Sequence, residues 1–591
     1  MRRSLAAIGI AGLGLVGAGL YARRRQIIAR AFGLRPPEYA VAVEYDLPVP
    51  MPDGTVLYAD RFFPRASGQF PTILIRTPYG RPSETRLLGP GGLMGAALFA
   101  ERGYNVVVQG VRGRFRSGGV FEPFVHEQED GRTTLDWIAA QPWFEGNLGM
   151  WGPSYLGYTQ WAVAADAPPF LKAIMPVIAT SRFSHSFYPG GPFAYESSLR
   201  WATYLEATNR RSLDLVALVR VLRPQREATL AATLASAPLA EADRRATGAV
   251  QPFFQQWLAE PGPDGAYWSR VDFDRSLARV TPAVHLVAAW YDIFLRDQLA
   301  DYTDLLAADA RPYLTVLAGH HTSKSILGAS VREGLVWFDA LLRGRDVPRR
   351  RAVRLALLGA HETHEMDFWP PPAQLQRFYL HAGGWLRETR AQEAPASSFE
   401  YDPHDPTPSV GGPVLSPDGG ARNQARVEAR HDVLLFTSAP LEAPLDVLGY
   451  VRLEVFVRSN LAYFDLVGRL CAVDPDGRSI NVCEGAIRVE PGVGERQPDG
   501  SLRLELDLWA TARRFHAGQR LRLHICSGAH PRWNVNSGDG RALIDAVPAG
   551  LRAQQMVFHD AEHPSVLLLP VVSEATRQAM AGEQLQEVAT P

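Results

Sequence analysis

Short apolar runs alternate with helix-patterned stretches from Tyr39 to about Thr180, and this constrains the chain more than any other feature. Pro71-Thr-Ile-Leu-Ile-Arg76, Tyr104-Asn-Val-Val-Val-Gln109 and Leu148-Gly-Met-Trp151 are too apolar for either face to meet water. Between and after them, Gly92 to Arg102, Asp130 to Gln141 and Tyr155 to Ala167 read as helices. Doubly buried strands alternating with helices predict a parallel sheet covered on both sides. Strand signals then vanish from about Phe183 to Asp274. Leu213 to Leu222 and Ala228 to Thr247 are rich in the helix formers Ala, Leu and Arg, which predicts a helical insertion. The first pattern resumes at Ala283-Val-His-Leu-Val-Ala288 and Tyr313-Leu-Thr-Val-Leu317.

After about Arg350 the period changes to two. Val451, Leu453, Val455 and Val457 alternate with Arg452, Glu454, Phe456 and Arg458; Leu502, Leu504, Leu506 and Leu508 alternate with Arg503, Glu505 and Asp507. With turn chemistry at Asp474-Pro-Asp-Gly477 and Pro498-Asp-Gly500, this predicts an all-β sandwich. The 591 residues exceed what one core holds, so several units are expected.

Composition excludes some classes of function. The chain is 46% hydrophobic and 21% charged, as ordinary globular proteins are. A formal net charge of −1 gives no basic surface for nucleic acid, so none is expected as a partner. Cys471, Cys483 and Cys526 cannot build a disulfide framework, and no cysteine–histidine cluster has zinc spacing. Gly91-Gly92 and Gly118-Gly119 do not form a phosphate-binding loop after a strand. No metal and no cofactor are expected. At the N-terminus, Arg2 and Arg3 precede an apolar run from Leu5 to Tyr21, and Arg23 to Arg25 follow it. This run is near the lower length limit for crossing a bilayer and reads as a signal peptide or membrane anchor, with membrane contact through it.

The chemistry-bearing segment is Gly149-Met-Trp-Gly152-Pro-Ser154-Tyr-Leu-Gly157, where a strand ends and a helix begins. A serine on such a turn is held clear of the sheet, and the next helix aims its N-terminal N–H groups at the same point. The usual pattern has Gly two residues after the serine; here Leu156 stands there and Gly157 follows. A nucleophilic serine needs a base and an orienting acid on later strand-end loops. Asp292, in Trp290-Tyr-Asp-Ile-Phe294, follows one strand, with Asp297 nearby. His320 and His321 follow the next.

With these pieces in place, the chain resembles the superfamily of cocaine esterases, X-prolyl dipeptidyl-peptidases and α-amino-acid ester hydrolases. The resemblance rests on Arg76-Thr-Pro-Tyr-Gly80, Arg102-Gly-Tyr104, Val111-Arg-Gly113, Gln141-Pro-Trp143, Gly152-Pro-Ser-Tyr-Leu-Gly157 and Trp290-Tyr-Asp-Ile-Phe294. In the C-terminal part it rests on Pro440-Leu441, Asp476-Gly-Arg478, Glu484-Gly485 and His530-Pro-Arg-Trp533. It implies an α/β-hydrolase domain with a helical cap and a C-terminal jelly roll. The expected boundaries are 1–35 for the N-terminal segment, 36–180 and 276–350 for the hydrolase domain, 181–275 for the cap and 351–591 for the jelly roll. It also implies Ser154 as nucleophile, Asp292 as orienting acid, and an oxyanion hole made of the Tyr79 hydroxyl and the Tyr155 backbone N–H. Phe294 and Trp151 become substrate-pocket candidates.

Two positions depart from the family. Gly110 stands where an aspartate is usual, which questions local loop packing. The stretch Leu317-Ala-Gly-His-His-Thr-Ser323 replaces a Gly-Pro-Trp-x-His motif. Counting from the strand puts His321 at the catalytic position; His320 is the alternative, and anchoring on Gly319 would put Ser323 there. His361 and His364 belong to a later segment resembling the start of the jelly roll. The expected activity is hydrolysis of a small ester by a Ser-Asp-His triad. The alternatives are an X-Pro dipeptidyl-peptidase, an α-amino-acid ester or amide hydrolase, or a binding protein that has lost catalysis. The two ammonium-recognising alternatives need a carboxylate cluster, for which Glu196, Glu206 and Asp214 are the cap candidates.

Overall fold

A computed structural model describes residues 24–85, 95–208, 224–236, 238–346, 350–392 and 394–580. The apolar run Leu5 to Tyr21, the Leu213 to Leu222 segment, Asp214 and Gly91-Gly92 lie outside the described residues. Among the described residues no helix is long and apolar enough to cross a membrane.

The first unit is built on a ten-stranded sheet with the order β1-β2-β4-β3-β5-β6-β7-β8-β9-β10. Its strands are β1 (Val41–Pro50), β2 (Val56–Pro64), β3 (Thr72–Thr77), β4 (Asn105–Gly110) and β5 (Leu148–Pro153). They continue with β6 (Leu171–Val177), β7 (Ala283–Tyr291), β8 (Tyr313–His320), β9 (Val353–Leu357) and β10 (Glu362–Met366). Pairing is parallel from β4 through β9 and antiparallel at both edges. The apolar strands divide their residues between two cores. Ile73, Ile75, Val106, Val108 and Met175 enter one; Leu74, Val107 and Ile174 enter the other. Successive side chains of a strand point to opposite faces, so a strand covered on both faces must be apolar at every position.

The insertion between β6 and β7 is helical. Among the described residues it includes Phe183–Phe187, Tyr195–Ala207, Pro224–Ser236, Leu239–Thr247, Pro252–Ala259 and Trp268–Val271. At the other end, β9 and β10 form a hairpin on the edge of the hydrolase sheet, beside β8. The sheet therefore runs to Met366, past the boundary expected at 350. Val353, Leu355 and Leu357 alternate like sandwich residues because an edge hairpin and a sandwich strand share period two. His361 and His364 belong to this hairpin rather than to the jelly roll, and the His364 imidazole is 3.1 Å from Glu362.

From Gln374–His381 onward the chain is the jelly roll. The long strand Leu445–Ser459 pairs antiparallel with Leu502–Phe515. Val451, Leu453, Val455, Val457, Leu504, Leu506 and Leu508 all point into one core. On the outer face Arg452 and Glu505 meet at 3.1 Å. The sandwich does not stand apart from the hydrolase unit. Leu448, Trp509, Ala510 and Ala512 share a core with Trp290, Leu355 and Trp369. Backbone bonds from Leu358 N–H to Ala512 O (2.8 Å) and from Arg514 N–H to Leu358 O (2.9 Å) stitch the sheets together. The Tyr291 hydroxyl, at the end of β7, donates to Asn481 O at 3.0 Å.

Candidate active site

Ser154 joins β5 to the helix Tyr155–Ala164 with φ 58° and ψ −124°, a backbone conformation that strains a residue bearing a Cβ. Neighbouring contacts impose it. The Ser154 N–H donates to Val177 O on β6 at 2.9 Å, while all ten residues of the helix are buried. The helix crosses the sheet so closely that a Cβ on Gly152 would overlap Leu156, and one on Gly157 would overlap Ala179. This accounts for the shifted glycine. Position 156 faces Gly152 and accepts leucine; position 157 lies against Ala179 and Pro176 and does not accept a side chain.

Three side chains from three strand ends meet at this turn. The His321 Nε2 is 3.0 Å from Ser154 Oγ, and its Nδ1 is 2.7 Å from Asp292 Oδ2. Asp292 is fully buried just after β7, and its other oxygen accepts the Phe294 N–H at 2.8 Å. That bond fixes the carboxylate plane, and Phe294 sets its ring edge-on to His321 with centroids 5.5 Å apart. Asp297 is spent elsewhere, accepting from Ser186 and Arg296. His320, one residue before His321, faces away. Its N–H donates to Ser323 Oγ at 2.9 Å, and its ring lies against Gly419 and Gly420 of the jelly roll. Burial holds its pKa below the usual histidine value. Ser323 is thus the cap of this turn and not a member of the relay.

Tyr79 follows β3. Its hydroxyl lies beside Ser154 and accepts from Trp201 Nε1 at 3.0 Å. Burial pushes the phenol up to about 12, against the opposing effect of its hydrogen bonds to Trp201 and Ser154, so it is a protonated donor at neutral pH. The Tyr155 N–H opens the helix and has no intrahelical acceptor. Its side chain points elsewhere: the hydroxyl donates to Glu127 Oε1 at 2.8 Å and accepts the Phe124 N–H at 2.9 Å. Arg76 completes this buried chain, 2.8 Å from Glu127. Near it, a Cβ on Gly110 would come within 3.1 Å of Ser117 Oγ, which donates to Gly110 O at 2.9 Å. Ser117 occupies the space beside Gly110.

These groups open onto a cavity of about 710 Å³. Tyr79, Ser154, Phe294 and His321 line it from the hydrolase unit, and Phe183, Phe187, Trp201 and Tyr204 from the cap. Pro413, Leu415, Trp509 and Trp533 line it from the jelly roll. Trp151 also borders it but is fully buried, edge-on to Phe99 at 5.4 Å, and serves mainly as floor and core. Among the described residues the only charged side chains on the wall are Arg200, Arg532 and the titratable His321. Arg200 pairs with Glu196 and Glu227, and Arg532 with Glu484. Glu196 also accepts the Leu415 N–H at 3.1 Å, tying cap to jelly roll, and Glu206 reaches Gln251 at 3.4 Å. Neither carboxylate lines the cavity. The cap and jelly-roll aromatics were not singled out from sequence, because no local pattern ties residues so distant along the chain to Ser154.

One group of metal-type donors comes together among the described residues: Glu428, Cys471 and His524, inside the sandwich. Glu428 already holds Arg522 at 2.6 Å and His524 at 2.9 Å. Burial pushes the Cys471 thiol up to about 12, and its Sγ lies 3.6 Å from His524 Nε2. This arrangement is a buried hydrogen-bond network.

Residues 53–323 match the model of the X-Pro dipeptidyl-peptidase (S15 family), and 346–568 match the X-Pro dipeptidyl-peptidase C-terminal non-catalytic domain. The cocaine esterase of Rhodococcus sp. (strain MB1 Bresler) is 30% identical, over 90% of this chain and 99% of its own. The chain belongs to the cocaine esterase and X-Pro dipeptidyl-peptidase family of serine hydrolases. The family fold recurs in solved structures. An α-amino acid ester hydrolase superposes with a TM-score of 0.76 at 22% identity, covering 90% of this chain and 97% of that one. An aminopeptidase from a marine sediment Thaumarchaeota archaeon has a TM-score of 0.76 at 22% identity, covering 91% and 97%.

The close crossing beneath Ser154 makes a stability prediction. Gly157→Ala forces a methyl group into Ala179, and overpacking of this kind costs about 1–3 kcal/mol. Chemical denaturation of the variant is expected to show a lower midpoint. An unchanged midpoint would mean the crossing has room that the backbone does not show.

Proposed function

We propose that this serine hydrolase is a carboxylesterase for neutral esters with an apolar acyl or alcohol group, acting through Ser154, His321 and Asp292. The observation that carries the reading is the unbroken relay Asp292–His321–Ser154 at the wall of an apolar cavity. His321 accepts the Ser154 proton through Nε2 as the oxygen attacks the ester carbonyl. Asp292 holds the Nδ1 proton in place and offsets the positive charge on the ring. The tetrahedral oxyanion is met by the Tyr79 hydroxyl and the Tyr155 N–H, fixed donors aimed at charge that exists only in the transition state. The imidazolium then protonates the departing alcohol, and water repeats the sequence to release the acid.

Ester cleavage is favoured over ammonium-directed peptidase or amino-acid ester chemistry by the charges on the wall. A substrate ammonium calls for an uncommitted carboxylate, and the wall offers none among the described residues. The apolar run Leu5 to Tyr21, on composition, supports a targeting or anchoring role for the N-terminus.

Ser154→Ala and His321→Ala are each expected to lower kcat by on the order of 10⁶ on a reactive ester. His320→Ala should cost far less, since its ring faces the jelly roll. Steady-state kinetics of the three variants check this; an inactive His320→Ala beside an active His321→Ala would reverse the assignment of the base.

Tyr79→Phe is expected to lower kcat by about 10²–10³ with a small change in KM, the signature of one lost oxyanion donor. If kcat were unchanged, the hole would consist of backbone donors alone.

On a substrate panel, p-nitrophenyl butyrate and benzoate should be hydrolysed with much higher kcat/KM than Gly-Pro-p-nitroanilide or α-amino-acid esters. Preference for the charged substrates would overturn the ester reading and place an ammonium-binding group outside the described residues.

A further inference from the structure

Trp201 stands on the cap helix Tyr195–Ala207, yet its indole N–H is spent on a group of the hydrolase core, the Tyr79 hydroxyl, at 3.0 Å. We propose that Trp201 is a positioning residue for catalysis: its N–H occupies one side of the Tyr79 oxygen and so directs the phenolic proton toward the oxyanion. This rests on the reading of Tyr79 as an oxyanion donor and names what makes it an effective one.

An indole N–H can only donate, so in this bond the Tyr79 oxygen can only accept. A phenol has a single proton, and with the indole hydrogen on one flank that proton turns to another side of the oxygen, within the cavity that Tyr79 and Ser154 both line. Without Trp201 the hydroxyl is free to rotate, and part of its population would present a lone pair to the developing negative charge. A donor must be oriented before the reaction to lower its barrier, because reorientation during the reaction costs part of what the bond contributes.

The indole is itself held firmly. It lies parallel to Phe124 (centroids 5.6 Å apart, planes 9° apart) and to Trp257 (5.9 Å, 11°). Tyr204, one turn along the same helix, sets its ring edge-on to Tyr79 at 5.5 Å. The helix end is clamped to the same loop by buried Arg114. Its Nε donates to Pro78 O at 2.9 Å, next to Tyr79 in sequence, and its Nη2 to Thr208 Oγ1 at 2.9 Å, just past the helix. The oxyanion donor is therefore oriented by the cap, and the cap contributes to rate as well as to substrate choice.

The test is a double-mutant cycle on p-nitrophenyl butyrate with Trp201→Phe and Tyr79→Phe. Phenylalanine keeps a ring in the stack and removes only the donor. Trp201→Phe is expected to lower kcat about three- to tenfold, the effect of one neutral hydrogen bond, with KM within twofold. In the Tyr79→Phe background the same change should have no effect on kcat. An equal loss in both backgrounds, or a loss carried by KM, would show that Trp201 only shapes the pocket and would overturn the proposal. An inert Tyr79→Phe would remove the oxyanion role of Tyr79 and the proposal with it. Thermal melts of the variants separate these outcomes from loss of fold: a Trp201→Phe protein melting as wild type with unchanged kcat also overturns it.

Discussion

Everything catalytic in this molecule depends on one close crossing, that of β5 and the helix Tyr155–Ala164. Gly152 and Gly157 let backbone approach backbone, and the approach leaves Ser154 no conformation except a strained one with φ 58°. Strain of this kind persists only where surrounding packing over-determines it. Here a wholly buried helix and the bond to Val177 do so. The result is a hydroxyl lifted off the sheet, with the first N–H of the helix beside it and the ends of β7 and β8 within reach. The relay to His321 and Asp292 then requires only that two adjacent parallel strands end at the same level.

The rest of the chain turns that relay into a site. The cap brings aromatic surface over Ser154, and the jelly roll closes the remaining side with Pro413, Leu415, Trp509 and Trp533. Neither is loosely attached. Glu196 bridges Arg200 of the cap and Leu415 of the jelly roll, while Trp290, Trp369 and Trp509 share a core across the two sheets. Mainly apolar walls from three units lower the local dielectric, which strengthens each hydrogen bond to the reacting atoms. The arginines of the wall, Arg200 and Arg532, are paired with carboxylates outside the cavity, which leaves the surface presented to a substrate mainly apolar.

Much of this was legible in the residues themselves. Apolar runs alternating with helical stretches could fit only a sheet covered on both faces, and alternation at period two beyond Leu445 could fit only a face packed on one side. Ser154 and Asp292 were visible because strand-end loops are where such residues must stand. The choice between His320 and His321 was not visible in the same way. Adjacent residues point in different directions, and which one turns toward Ser154 depends on the Ser323 cap and on the jelly-roll glycines beside His320. The pairing of the edge hairpin Val353–Met366 is open in the sequence for a related reason: period two says that a strand has two faces but not which sheet it joins.

The sequence by itself determined the two architectures and the serine hydrolase family, because each follows from local periodicity or from motifs a few residues long. Only the tertiary structure decided which histidine lies between Asp292 and Ser154, that Glu196 and Glu206 are spent on Arg200 and Gln251, and that Trp201 lies against Tyr79. Apart from Glu196 and Arg200, four positions apart on one helix, those are contacts between residues 29 to 167 positions apart. The free energy that selects them comes from packing three units around one cavity, and no stretch of chain read alone contains it.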